Sequence, residues 1–73
     1  MQVNKQAKFR RLAKQRGDRI LKDMRLLGNL SNTNNYAYTE DEVKKLFSTI
    51  DEELKYARSR FYKDISKYRK IDL

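Results

Sequence analysis

The chain has 73 residues, with 18 Lys/Arg against 10 Asp/Glu and a formal net charge of +8. At this length it forms one domain at most and has little area for a buried core. Cys and His are both absent, which excludes disulfides, zinc sites of the usual kind, thiol nucleophiles and imidazole acid–base chemistry.

With no Pro and only two Gly, almost nothing forbids helix, and the expected class is all-α. The first helix is predicted from about Lys5 to Leu27. On a helical wheel Phe9, Leu12, Ala13, Ile20, Met24 and Leu27 share one face, with Leu21 at its edge. Arg16 and Asp23 interrupt that face. Gly17-Asp18 suggests a bend or break, with Asp18 capping a second segment. Ala13 and Gly17 also match the small-residue spacing of a helix-turn-helix unit, although Asp23 falls where such a unit wants an apolar residue. The tripeptide Arg16-Gly17-Asp18 spells an integrin-type motif, which in a helix reads as chance.

Gly28 and Asn29 follow the last periodic residue, Leu27. They read as a helix stop, because these residue types enter the left-handed conformation cheaply. The linker to Tyr38 holds Asn32, Asn34, Asn35 and Tyr36. Asn side chains close turns by bonding nearby backbone, so the stretch reads as punctuation. A recognition loop built on Asn34, Asn35 and Tyr36 is the alternative.

Thr39-Glu40-Asp41-Glu42 is a capping box, with Tyr38 and Val43 at the spacing of a hydrophobic staple. Three carboxylates in the first turn complement the helix dipole. A second helix is therefore predicted from Glu40 to about Lys70. Val43, Phe47, Ile50, Leu54, Ala57 and Phe61 alternate spacings of four and three, a heptad-like seam uninterrupted by charge. On the opposite face Tyr56, Arg60, Lys63, Lys67 and Lys70 form a basic stripe headed by a Tyr. A polyanion could be tracked by those cations and a base stacked on Tyr56. A solvated face suited to a helix C-terminus explains the same residues more plainly.

Charge alternates along the chain: +7 over residues 1–28, −3 over 29–55 and +4 over 56–73. If the helices lie antiparallel, the two basic segments meet at one pole, and like charges gathered there repel. A nucleic acid would relieve that repulsion. The expected contacts are Lys8, Arg11, Lys14 and Arg16 from the first helix with Tyr56, Arg60, Lys63, Lys67 and Lys70 from the second. A two-helix hairpin cannot cover both apolar stripes. The seam Val43, Phe47, Ile50, Leu54 and Phe61 is expected to pair with a second copy, giving a homodimeric four-helix bundle, or with another protein.

The run Arg25-Leu26-Leu27-Gly28-Asn29-Leu30-Ser31-Asn32, followed by Asn35-Tyr36-Ala37-Tyr38-Thr39-Glu40, resembles a group of short bacterial reading frames of uncharacterised function, some in phage and plasmid contexts. The likeness spans about Arg25 to Phe61. It implies a small accessory protein of a bacterium or mobile element and brings no functional residues with it.

No nucleophile–base pair or metal cluster occurs at a recognisable spacing, so the chain does not read as an enzyme, and no cofactor or small-molecule substrate is implied. The leading expectation is a nucleic-acid-binding accessory or regulatory protein acting in the cytoplasm, DNA and RNA undistinguished. The alternative is a protein-interaction module or inhibitor docking on a larger host or phage protein. A membrane-surface helix is a third reading, weakened because the apolar faces look like mutual packing surfaces. No segment has the apolar length to span a bilayer.

Overall fold

The computed structural model describes residues 4–66, with side chains as far as residue 63. It contains two α-helices, α1 (Lys5–Asn29) and α2 (Glu40–Ser66), and no strand among the described residues. The chain divides into two units, Met1–Ala37 and Tyr38–Leu73, each built around one helix. The all-α expectation holds. The predicted run of the second helix past Ser66 lies outside the described residues.

α1 begins at a cap that the sequence reading passed over. Asn4 is extended, and its Oδ1 accepts from the Ala7 N–H at 3.0 Å. The Lys8 N–H donates to the Asn4 carbonyl at 3.1 Å, closing the first helical turn. Asn at this position satisfies one of the four amide donors that a helix start leaves open.

Of the bend or break suggested at Gly17, no break occurs. α1 is one helix of 25 residues, about 37 Å at the usual rise. A glycine in a helix interior costs only about 1 kcal/mol relative to alanine, and the strong formers around it outweigh that. Asp18 does not cap a second segment; it accepts from Lys14 Nζ one turn earlier, at 2.8 Å. Continuity through this segment also removes the helix-turn-helix reading, which needs a turn there.

The end of α1 corrects a second expectation. The helix runs two residues past Leu27, and no described residue takes a positive φ. Leu30, the C-cap, is right-handed at φ −69°, ψ −8°. The last carbonyls are instead met by tightened turns: Leu30 N–H to Leu27 at 3.1 Å and Ser31 N–H to Gly28 at 3.1 Å. Bonds of this i to i+3 kind satisfy orphan carbonyls without a left-handed residue.

The linker is organised by Asn32. Its Oδ1 accepts from the Asn34 N–H at 3.0 Å, and its carbonyl accepts from Asn35 and Tyr36 at 3.2 and 3.0 Å. α2 then opens as predicted. The Glu42 N–H donates to Thr39 Oγ1 at 3.1 Å, and the Thr39 N–H donates to Glu42 Oε1 at 2.9 Å. Both bonds of the capping box are present, and the Val43 N–H reaches the Thr39 carbonyl at 3.1 Å.

Neither helix buries its apolar face: no described residue is buried. Leu12, Leu27, Val43 and Ile50 are half-buried, and all four lie on the faces predicted from periodicity. Ile20 and Phe61 are 62% and 57% exposed.

Two stability outcomes follow from these caps and helices. A β-carbon at Gly17 or Gly28 would meet nothing within 4 Å. Gly17→Ala and Gly28→Ala should therefore each stabilise helix by up to about 1 kcal/mol, read as a raised midpoint in thermal circular dichroism. A left-handed cap at Gly28 would give the opposite sign. Thr39→Ala should lower the stability of α2 by about 1 kcal/mol through loss of the cap, visible in the same melt; an unchanged midpoint would contradict it.

Candidate nucleic-acid interface

Positive charge is concentrated on α1. That helix holds nine Lys/Arg and two Asp, whereas α2 holds six Lys/Arg and seven Asp/Glu. Along its described length α2 is acidic first and basic later, and its sum is near neutral.

The register of α1 decides which cations act together. At 100° per residue, Arg11, Lys14, Lys22 and Arg25 fall within one arc with Lys8 and Arg19. Every one of these six is exposed. Arg16 is elsewhere: it lies four residues after Leu12 and four before Ile20, on the apolar side, so it does not join Lys8, Arg11 and Lys14. Conversely, Arg19, Lys22 and Arg25 were not among the expected contacts. The signal that places them was in the spacing, but it has meaning only if the helix is unbroken at Gly17.

One carboxylate lies on the arc. Asp18 pairs with Lys14 at 2.8 Å, with both side chains more than half exposed. The hydrogen bond and then the charge of Asp18 raise the Lys14 pKa above its ordinary 10.5, against a small opposing effect of burial. The attraction is thus in place at neutral pH and is lost as pH rises through the raised Lys14 value. Solvent screening keeps such a pair weak, so a phosphate can compete for Lys14.

On α2, Tyr56, Arg60 and Lys63 are exposed and follow one another at helical spacing. The Arg60 guanidinium lies 5.9 Å from the Tyr56 ring centroid, at the outer limit of a cation–π contact. That contact occupies one face of the ring expected to stack on a base. The Ser59 hydroxyl donates to the Tyr56 carbonyl at 2.7 Å. Lys67 and Lys70, the remainder of this stripe, lie outside the described residues.

The loop candidates Asn34, Asn35 and Tyr36 are exposed, and their three backbone N–H groups are all directed back to Asn32. The loop is therefore shaped by its own hydrogen bonds. Along the seam, Phe47 and Leu54 are exposed with Phe61, while Val43 and Ile50 are half-buried. Among the described residues no helix is long and apolar enough to cross a membrane. No family model, curated protein or solved structure matches the chain.

Asp18 is the position at which this surface is most easily tuned. Asp18→Asn removes the one carboxylate of the arc and releases Lys14. It should tighten binding to duplex DNA by about two- to fivefold at low salt, the scale of one screened surface charge. Fluorescence anisotropy measures this, and weaker binding would show that Asp18 itself contacts the ligand.

Proposed function

We propose that this chain is a small basic nucleic-acid-binding protein, an accessory or regulatory factor of a bacterium or mobile element, that holds phosphates through its cationic surface. The observation that supports this reading is the exposed arc of α1, where six cations face one carboxylate. Such a surface repels itself in isolation, and a polyanion relieves the repulsion. Arg60 and Lys63 add exposed cations on α2.

Assembly belongs to the same proposal. None of the described residues is buried, and helices gain most of their stability from packing an apolar face. The seam Val43, Phe47, Ile50, Leu54 and Phe61 is proposed to meet a second copy, giving a four-helix bundle with two basic poles. The exposure of that seam and of the linker also favours a second reading, a module that docks the seam or the Asn/Tyr linker on a larger host or phage protein. In that case nucleic-acid binding is weak and blind to sequence, and Tyr36→Ala separates the two if it abolishes capture of the protein partner alone.

The test is anisotropy of the whole chain with labelled duplex DNA, single-stranded DNA and RNA, at low and physiological salt. Submicromolar binding that persists at physiological salt, and that falls steeply as salt rises further, is expected. A Lys63→Glu/Lys67→Glu variant with unchanged helicity should bind more weakly. Micromolar, indifferent binding that vanishes with salt would overturn the reading in favour of the protein partner.

A further inference from the structure

The cations of α1 repeat. Lys8-Phe9, Arg11, Ala13-Lys14 and Gly17 recur eleven residues later as Arg19-Ile20, Lys22, Met24-Arg25 and Gly28. Eleven residues make three helical turns with about 20° to spare, and advance about 16 Å along the axis. Because α1 is unbroken between Lys5 and Asn29, the two copies stay in phase. The six cations then form three parallel rows of two: Lys8 with Arg19, Arg11 with Lys22, and Lys14 with Arg25. The outer rows are separated by about 120° around the axis, with Arg11 and Lys22 between them.

We infer that α1 is a groove-reading helix for duplex DNA, and that its ligand is a B-form duplex rather than a single strand or RNA. This rests on the nucleic-acid reading above and specifies its ligand. A single strand presents one line of phosphates, which one row of cations would follow. Three rows spread over a third of the helix circumference match a trough with two charged walls. The major groove of B-DNA is about 12 Å wide and admits an α-helix about 10–12 Å across. The outer rows meet the phosphates of the two strands, and Arg11 and Lys22 face the base edges between them. Arginine and lysine there favour guanine O6 and N7. The major groove of A-form RNA is too narrow and deep for the same entry. The apolar side of α1, with Phe9, Ile20 and Met24, points away from the groove and is left for protein packing. A lipid surface would need that side instead.

Two variants with the same change in charge separate this placement from general attraction. Lys8→Glu/Arg19→Glu alters one of the phosphate-facing rows. Lys5→Glu/Arg10→Glu alters two cations outside the arc. Binding of the whole chain to a mixed-sequence duplex, to one of its single strands and to the matching RNA duplex is followed by anisotropy across a salt series, with circular dichroism confirming helicity. The unaltered chain should prefer the DNA duplex by at least about tenfold. Four phosphate contacts from the outer rows give a slope of log affinity on log salt of about −4. The Lys8→Glu/Arg19→Glu variant should lose about two units of that slope, and the Lys5→Glu/Arg10→Glu variant should keep it. Equal losses in both variants would overturn the groove placement, as would equal affinity for duplex and single strand. Undetectable binding to every nucleic acid would instead remove the functional reading on which it rests. Tighter binding to anionic phosphatidylserine vesicles than to any nucleic acid would reverse the orientation and overturn the inference.

Discussion

Helix α1 runs without a break through Gly17. That continuity fixes the phase of everything on its surface. Phe9, Ile20, Met24 and Leu27 line one side because no residue between them is out of register, and the cations of the two halves share the opposite arc for the same reason. A rod with this much like charge is not stable by propensity alone. Isolated helices of this length are marginal in water, and tertiary packing supplies most helical stability in proteins. The proposed assembly and ligand would make two requirements of the chain: apolar area covered by protein, and positive charge neutralised by an anion.

These two requirements sit on opposite sides of α1, so they do not compete. Packing can take the apolar side while a polyanion takes the cationic arc. α2 differs in kind. Its acids and bases nearly cancel, its first turn is closed by a reciprocal cap, and its uninterrupted feature is the seam from Val43 to Phe61. It is the better candidate for assembly, and α1 the better candidate for the ligand. In the Asn32-centred turn between them the N–H groups of Asn34, Asn35 and Tyr36 are satisfied internally, which suits a connector.

The outlines of both helices were legible in the sequence because periodicity and caps are local. Thr39 and Glu42 stand three residues apart, and that spacing alone sets both bonds of the box. The end of α1 was harder to read. Gly28 suggests a left-handed stop, but tightened right-handed turns satisfy the same carbonyls, and composition does not distinguish the two. Gly17 left a bend or break open for a similar reason: a glycine beside an aspartate resembles a boundary, whereas the surrounding strong helix formers outweigh its cost. The expected contacts Lys8, Arg11, Lys14 and Arg16 followed from the basic segments meeting at one pole, which left Arg19, Lys22 and Arg25 aside. With a break at Gly17, Arg19, Lys22 and Arg25 have no fixed relation to Lys8, Arg11 and Lys14. Without it they form a single surface, and Arg16 leaves it.

The central claim is that the polar arc of α1 is where the ligand lies. Titrating a B-form DNA duplex into isotope-labelled protein and following backbone and side-chain nuclear magnetic resonance shifts tests it residue by residue. Large shifts at Lys8, Arg11, Arg19, Lys22 and Arg25, with small ones at Asn34, Asn35 and Tyr36, are predicted. Shifts confined to the linker or to the seam of α2 would contradict the account and move the site to those residues.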